Sequence, residues 1–159
     1  NELGIKTEID LRGDDECYGM QGSPLGESVR YFQVPLGAYV GMGTEKGMER
    51  VAEVFKLFLD PANYPITVHC AGGQDRMGSL AFVLNGLLGV DEEELFLDWE
   101  ATGFWNSHPG FTHARLFNLL LDVFRPLPGD TITEKIEHYV LECGFTHKDI
   151  ETYRALMLE

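Results

Sequence analysis

The chain has 159 residues and a formal net charge of −14, from 12 basic and 26 acidic side chains. This length suits one domain with a proper core, so we expect a single domain over residues 1–159. Such a negative charge argues against nucleic acid and against an anionic membrane surface as partners. Three cysteines do not make a disulfide framework, because any pairing leaves one over.

The chain gives little information on its compartment. It contains no apolar run of about 18 residues and no signal peptide, so it predicts neither a membrane span nor a targeting segment. A cytoplasmic and a secreted location both stay open. Because the chain starts at Asn1 rather than at a methionine, and the first predicted strand begins almost at once, we expect that an N-terminal segment of the domain is missing.

Hydrophobic patterns predict an ordered series of strands and helices. In chain order, the first are a strand at 4–12, a loop at 13–28, a strand at 29–36, a loop at 37–43, a helix at 45–59, a turn at 60–65 and a strand at 66–68. The later helices cover 76–88, 92–102, 112–124, 133–143 and 146–159, with an irregular aromatic segment at 103–111. Strands are predicted from short β-branched or alternating runs, and helices from apolar residues three and four positions apart. A strand–helix–strand unit followed by helices indicates an α/β fold with a central sheet flanked by helices.

The segment after the strand at 66–68 has the composition of an anion-binding loop. Cys70 stands where the strand ends, Arg76 stands where the helix begins, and a small, glycine-rich loop joins them. A loop that leads into a helix N-terminus turns several backbone N–H groups toward one point, where the helix dipole adds positive potential. A phosphate dianion fits that point, a thiol there is favoured as the thiolate, and the guanidinium can donate two parallel hydrogen bonds to phosphate.

The surroundings of Cys70 matter more than its spacing from the arginine. A cysteine that follows a buried strand is more often a small core residue than a nucleophile. Cys17 and Cys143 have no arginine six positions later, where Ser23 and Asp149 stand instead. The preceding histidine, the glycines of the loop and the strand–loop–helix context around Cys70 together favour a functional site.

The sequence His-Cys-Ala-Gly-Gly-Gln-Asp-Arg-Met-Gly over residues 69–78 resembles the phosphate loop of cysteine-dependent tyrosine phosphatases, His-Cys-x5-Arg-Ser/Thr-Gly. The Asp-Arg pair is typical of the bacterial tyrosine and lipid phosphatase branch of that family. Residues 4–12, 98–102 and 132–158 resemble other stretches of these proteins, so the resemblance extends over nearly the whole chain. It implies a cysteine-phosphatase-like fold, in which the phosphate loop lies between a strand and a helix N-terminus.

The resemblance implies a phosphomonoester hydrolase, most simply a protein tyrosine phosphatase, with dual specificity left open. Cys70 would attack phosphorus and form a phosphocysteine. Phosphate binding is assigned by the resemblance to the whole loop, that is, to Ala71, Gly72, Gly73, Gln74, Asp75 and Arg76. Arg76 and the loop amides would stabilise the charge on the equatorial oxygens in the transition state. The expected partner is a phosphorylated protein or a small phosphomonoester, and no cofactor or metal ion is expected.

An acid must protonate the leaving oxygen and then act as the base for the hydrolytic water. Many tyrosine phosphatases carry this aspartate on a separate loop before the cysteine, but here the corresponding residues 30–40 contain no carboxylate. Asp75 is then the best candidate, as in the branch that the chain resembles, and an ion pair with Arg76 or with another basic group is the structural alternative. Asp60 comes second, because an Asp-Pro before a turn is more often a helix stop.

The remaining polar residues carry weaker signals. His69 is expected to support the loop by hydrogen bonding. Asp98 and Glu100 could line the pocket, although a solvated helix face is the simpler interpretation, and Arg12 could order the site or pair within the core. Four further histidines have no spacing typical of metal ligands, and we interpret them as surface or structural residues. They are His108, His113, His138 and His147.

Three other functions stay open. A phosphate-binding module with weak turnover is one, and there Met77 would mark the decay of catalysis. Phosphoinositide phosphatase activity is disfavoured by the acidic net charge and by Gln74, where many lipid-active members have a lysine. Sulfur transfer by a rhodanese-like loop would share the cysteine and the arginine, but it does not explain the other resemblances.

Met77 departs from the family pattern, which has serine or threonine after the arginine. That hydroxyl assists the thiolate as a leaving group in the second step, and Ser79 lies about 200° further round the helix, where it is a poor substitute. We therefore predict slow hydrolysis of the phosphocysteine. Stopped-flow assays with an aryl phosphate should show a burst of product followed by a slow steady state, and the absence of any burst would contradict the prediction.

Overall fold

The sheet at the centre of the protein is seen in a computed structural model that describes residues 2–101 and 113–158, with the side chains of residues 113–115 outside the description. Three parallel strands stand in the order β2-β1-β3. They are β1 (Thr7–Asp10), β2 (Arg30–Gln33) and β3 (Ile66–His69). Asp10 at the end of β1 is in register with Gln33 on one side and with His69 on the other. Helices flank this sheet, so the predicted α/β fold class is confirmed.

β1 and β2 are shorter than the predicted strands at 4–12 and 29–36, although their backbone hydrogen bonds continue beyond them, whereas β3 is one residue longer than the predicted strand at 66–68. Leu11 N–H donates to the His69 carbonyl over 2.8 Å, and Val34 N–H donates to the Asp10 carbonyl over 2.8 Å. All four residues of β1 are buried, because it is the central strand. The carboxyl ends of all three strands therefore meet at one end of the sheet, where the loop from Cys70 begins.

Seven α-helices lie in the described residues. They are α1 (Asp14–Cys17), α2 (Glu45–Phe58), α3 (Asp75–Leu87), α4 (Glu92–Ala101), α5 (His113–Phe124), α6 (Ile132–Glu142) and α7 (His147–Met157). Single 3₁₀ turns cover Tyr39–Gly43 and Pro61–Asn63. The aromatic segment predicted at 103–111 and the predicted helix ends at 102, 112 and 159 lie outside the described residues.

Two segments that we predicted as loops contain helical turns. The loop at 13–28 includes α1, whose first turn is acidic and so suits the positive end of its dipole. The loop at 37–43 includes the 3₁₀ helix Tyr39–Gly43, in which Gly41 N–H bonds the Ala38 carbonyl over 2.9 Å. Both turns are too short to leave a periodic hydrophobic pattern, which is why the sequence did not reveal them.

Threonine caps set where the last two helices begin. Thr146 accepts a hydrogen bond from Asp149 N–H over 3.3 Å, as predicted for the start of α7. α6 begins one residue before the predicted position, because Thr131 is its N-cap and forms a capping box with Glu134. Glu134 N–H lies 3.2 Å from the Thr131 hydroxyl, and Thr131 N–H lies 3.1 Å from the Glu134 carboxylate.

The core joins the sheet to α2, α3, α6 and α7. Phe55 of α2 is 2% exposed and packs in an edge-to-face contact on Phe145 and in a tilted contact on Tyr153 of α7. Tyr139 of α6 is also buried, and its hydroxyl donates to the Met42 carbonyl over 2.8 Å. The helix that follows the Cys70 loop is thus supported by a continuous packed core. Among the described helices, none has the length and apolar character needed to cross a bilayer.

Gly47 of α2 should be required for the close packing of the 3₁₀ helix against α2. A Cβ at this position would lie 2.0 Å from the Gly41 carbonyl oxygen and 2.9 Å from Met42 Cα. Helix propensity alone would favour alanine by about 1 kcal/mol, but this overlap with backbone should make Gly47→Ala destabilising by about 1–3 kcal/mol. Urea unfolding measures the change, and Gly22→Ala, which meets nothing within 4 Å, is the control. A Gly47→Ala protein as stable as the unmutated protein would contradict the prediction.

Candidate active site

The loop that carries Cys70 connects β3 directly to α3. Cys70 is 8% exposed, and its sulfur accepts a hydrogen bond from Gly73 N–H over 3.2 Å. Gly73 has a φ of 75°, a conformation that glycine adopts without steric cost. Ala71 and Gly72 are exposed, so the loop is open to solvent. Gly73 N–H is therefore one backbone donor in the anion-binding loop that the sequence predicts.

The helix after the loop begins at Asp75, one residue earlier than predicted. Asp75 and Arg76 therefore both lie in the first turn of α3, and Gln74 is the N-cap residue. Gly78 N–H donates to the Gln74 carbonyl over 2.9 Å, which closes that first turn. The predicted nucleophile, acid and guanidinium thus belong to one strand–loop–helix unit.

Arg76 is held by Glu16, a residue that our sequence analysis did not single out. Arg76 Nη1 lies 2.5 Å from Glu16 Oε2, and Nη2 lies 2.7 Å from Oε1, which makes a bidentate ion pair. Glu16 Oε2 also accepts a hydrogen bond from Gly13 N–H over 3.0 Å. The hydrogen bond from Arg76, with a smaller effect from Gly13, lowers the pKa of Glu16 to about 2, and the same bond raises the pKa of Arg76. Both groups are charged at neutral pH, and the guanidinium is fixed in direction.

A buried carboxylate fixes the helix that carries Glu16. Asp10 accepts hydrogen bonds from Arg12 Nη2 over 2.7 Å and from the Tyr31 hydroxyl over 2.8 Å. Cys17, the last residue of α1, places its sulfur 3.4 Å from the same carboxylate. Burial acts to raise the pKa of Asp10, but the bonds from Arg12 and Tyr31 outweigh it and hold the pKa well below its ordinary value. Of the two roles open to Arg12, the structure shows the pair with a buried partner.

His69 contacts a second buried carboxylate beneath the loop. Its Nε2 lies 2.8 Å from Glu8 Oε1, and its Nδ1 lies 3.3 Å from the Cys70 carbonyl oxygen. Glu8 is 3% exposed and also accepts a hydrogen bond from the Ser23 hydroxyl. In either tautomer the ring can donate to one of these two acceptors, which holds the imidazole at the start of the loop. The supporting role of His69 stays a prediction, and these contacts are compatible with it.

Asp75 contacts Tyr39 instead of forming an ion pair with Arg76. The Tyr39 hydroxyl donates a hydrogen bond to Asp75 Oδ1. Burial, followed by this bond, raises the pKa of Tyr39, so its hydroxyl remains a donor at neutral pH. Ser79 holds the tyrosine in place, because its Oγ accepts from Tyr39 N–H over 3.2 Å and donates to the Asp75 carbonyl over 2.7 Å. Tyr39 belongs to residues 30–40, the segment that contains no carboxylate.

A small cleft lies beside the loop, between α3 and α4. It has a volume of about 160 Å³, and its lining includes Gly73, Met77, Asp98 and Trp99. Asp98 lines this cleft and is also exposed to solvent. It therefore agrees with both interpretations, that of a pocket residue and that of a solvated helix face. Glu100 is not part of the lining. Met77 is partly buried and packs against the core.

Asp60 takes the structural role rather than the catalytic one. Its Oδ1 accepts a hydrogen bond from Ala62 N–H over 2.9 Å, as the N-cap of the turn Pro61–Asn63. It precedes the amino end of β3, whereas Cys70 follows the carboxyl end, so the two residues lie at opposite ends of the sheet. His138 and His147 are exposed, and the side chains of His108 and His113 lie outside the described residues.

A thiol, a fixed guanidinium and a helix N-terminus on one loop are the combination that thiol-based phosphate chemistry requires. The model of the tyrosine phosphatase family matches residues 1–122. Since this match covers more than half of the 159 residues, the chain belongs to the tyrosine phosphatase family. A search of curated proteins found no significant match.

The predicted family is therefore confirmed, and family membership supports phosphatase function on a phosphorylated substrate. The bacterial branch is not tested by this match and stays a prediction. The matched residues include the whole Cys70 loop and end within α5, so α6 and α7 lie beyond the match.

Glu16 and Tyr39, which contact Arg76 and Asp75, are the two most important residues that sequence reasoning missed. Glu16 lies 60 positions before Arg76, and Tyr39 lies 36 positions before Asp75, so no local spacing connects either pair. The acidic run after Gly13 is a signal for a helix start, but it does not say what the helix holds. The sequence analysis searched residues 30–40 for a carboxylate and found none. It gave no reason to expect that a tyrosine of this segment contacts Asp75.

Glu16→Gln should weaken catalysis by releasing the Arg76 guanidinium while keeping a side chain that can cap Gly13. We expect kcat/KM to fall about tenfold to a hundredfold, because misplaced charge at a reacting phosphate is costly. The folded-state pKa of Glu16 is below its ordinary value of 4.5, so the ion pair is complete above about pH 4.5 and is lost as the pH falls toward 2. Glu16 should therefore add no step to the rate profile between about pH 5 and 7.

The control is Asp15→Asn, which changes the neighbouring acid of the same short helix. Affinity for the inhibitor vanadate should fall together with kcat/KM in Glu16→Gln, and Glu16→Asp should restore part of it. Equal losses in Glu16→Gln and Asp15→Asn would mean that α1 has been disturbed as a whole and would contradict a specific effect on Arg76.

Proposed function

We propose that this phosphatase hydrolyses phosphomonoesters through a phosphocysteine at Cys70, with phosphotyrosine in proteins as its main substrate. The observation that carries the proposal is the bond from Gly73 N–H to Cys70 Sγ, in a loop whose next helical turn holds Arg76 against Glu16. A nucleophile and a fixed cation so close together suit a phosphate group that is attacked by sulfur and held by its equatorial oxygens.

The first step follows from the positions of these groups. The Cys70 thiolate attacks phosphorus in line with the ester oxygen, the S–P bond forms and the P–O bond breaks. Arg76 and the loop N–H groups stabilise the charge on the equatorial oxygens. Asp75 supplies the proton to the leaving oxygen, and its contact with Tyr39 supports this role because it gives the carboxyl group a fixed orientation.

The second step returns the enzyme to its starting state. Water attacks phosphorus, its proton passes to Asp75, the S–P bond breaks, and the Cys70 thiolate and inorganic phosphate are released. Met77 offers no hydroxyl to the departing thiolate, and the Ser79 hydroxyl is already bonded to the Asp75 carbonyl and to Tyr39 N–H. The second step is therefore the slow one in this proposal.

A phosphate-binding module with weak turnover is the second candidate, and the lack of that hydroxyl favours it. In this case the loop binds phosphate, but the phosphocysteine hydrolyses too slowly for the chain to work as an enzyme. A phosphoinositide phosphatase is less well supported, because Gln74 leaves the loop without the lysine of many lipid-active members.

The decisive test is turnover of p-nitrophenyl phosphate by the unmutated protein, by Cys70→Ser and by the control Cys143→Ser, between about pH 5 and 7. Cys143 is the C-cap of α6 and lies outside the loop. We expect release by the unmutated protein and by Cys143→Ser, and none above background by Cys70→Ser, which has lost its nucleophile. No release by the unmutated protein, with phosphate still bound, would move the assignment to the binding module, and turnover of thiosulfate would indicate sulfur transfer.

Asp75→Asn should affect poor leaving groups most. Without the acid, we expect kcat/KM for phenyl phosphate to fall about 10²-fold or more, and kcat/KM for p-nitrophenyl phosphate, whose leaving group needs little protonation, to fall much less. Asp98→Asn is the matched control, because Asp98 is an exposed carboxylate beside the same loop. Equal losses on the two esters would argue against Asp75 as the acid.

A further inference from the structure

A second pocket, which Arg76 also lines, contains several basic side chains. This pocket has a volume of about 370 Å³, within the range of roughly 300–1,000 Å³ that is usual for small-ligand sites. Three basic residues line it, Lys46, Arg50 and Arg76, and Glu16 is the single acid of the lining. The whole chain has 26 acidic and 12 basic residues and is therefore negative, whereas the charged residues that line this pocket are mostly positive.

The first turns of α2 give the pocket its charge. Lys46 and Arg50 stand one turn apart and therefore project from the same side of the helix. Thr44, the N-cap of α2, and Gly47 of its first turn also line the pocket, so the positive end of the helix dipole adds to the two cations. A separate groove on α2 carries the acidic residues of this helix. They are Glu45, Glu49 and Glu53.

The cations of the pocket are only partly neutralised. Lys46 is exposed and takes part in no ion pair within the described residues. Arg50 pairs with Glu53 through Nη1, and its Nε is buried without an acceptor in the same part of the chain. Glu16 would repel an anion, but both of its oxygens are bonded to Arg76. The pocket therefore has donors and positive charge to offer a ligand.

We propose that this pocket binds a second phosphate group of the substrate, so that the preferred substrates carry two phosphate groups. The proposal rests on the hydrolase function proposed above, because Arg76 belongs to both the pocket and the phosphate loop. A phosphate dianion suits a lysine ammonium, an arginine guanidinium and a helix N-terminus better than a carboxylate does, because it offers more charge and more acceptors. The net charge of −14 argues against an anionic membrane, which leaves soluble compounds.

Two soluble sources share this chemistry, and paired substrates distinguish them. One pair is a phosphotyrosine peptide with and without a phosphothreonine two residues away. The other pair is an inositol monophosphate and an inositol bisphosphate. The measured quantity is the ratio of kcat/KM for the doubly phosphorylated compound to kcat/KM for the singly phosphorylated one, from the initial rate of phosphate release.

Lys46→Gln should lower this ratio about tenfold for at least one pair, the usual effect of losing a charged hydrogen-bond donor. Lys46→Arg should keep most of the preference, because it keeps a cation. The control is Lys56→Gln, which removes the same charge from the same helix but in the acidic groove. A lower ratio for the peptide pair alone would assign the pocket to phosphoproteins. A lower ratio for the inositol pair alone would assign it to inositol phosphates. A ratio in Lys46→Gln that equals the Lys56→Gln ratio for both pairs would overturn the proposal.

A binding measurement separates failure of this proposal from failure of the hydrolase function. The Cys70→Ser protein cannot form the phosphocysteine, so calorimetry with the same compounds reports affinity without turnover. We expect Cys70→Ser to bind the doubly phosphorylated partner of one pair more tightly, and the added Lys46→Gln change to remove that advantage. If the unmutated protein hydrolyses no ester but this advantage is present, the second phosphate site stands and the hydrolase proposal fails. If esters are hydrolysed but no advantage exists, the hydrolase stands and the second site fails.

Discussion

The ion pair between Glu16 and Arg76 joins two parts of the chain that are 60 residues apart. A guanidinium carries five N–H groups in one plane, and a carboxylate that takes one pair of them dictates where the others point. Glu16 binds both terminal nitrogens of Arg76, so it sets the direction of that side chain. The loop supplies the backbone N–H groups, but the orientation of its only arginine is supplied by α1.

That dependence gives a role to the buried carboxylate of Asp10 at the carboxyl end of β1. α1 has only four residues and could not hold its position alone. Cys17 at its end contacts Asp10, which also binds Arg12 and Tyr31 and so ties the short helix to two strands. A buried carboxylate is costly without partners, whereas this one is satisfied by several, which makes the cluster a rigid support. The charged carboxylate of Asp10 therefore helps to hold α1, and with it Glu16, in position.

Those parts of the fold and the site that depend on contacts between nearby residues could be predicted from the sequence. The strand before Cys70, the helix after it and the cap at Thr146 each follow from a pattern within a few residues, and all three are found. Nothing local connects Glu16 with Arg76 or Tyr39 with Asp75, because those pairs exist only after the sheet has brought distant loops together. The short helices at 14–17 and 39–43 were missed for the same reason, since tertiary contacts rather than a repeating pattern stabilise them.

A molecule with a charge of −14 that acts on phosphate must attract the anion by local means. At physiological ionic strength, exposed charges are screened over about 8 Å, so distant acidic residues have little effect on a group already inside a pocket. The first turn of α2, Lys46 and Arg76 line one pocket, where their positive charge acts on a bound anion at short range. The acidic residues on the rest of the surface still repel large polyanions, because most of the charges of such a molecule would lie outside the pocket. The charge pattern thus supports the proposal of a compact phosphorylated substrate rather than an extended anionic surface.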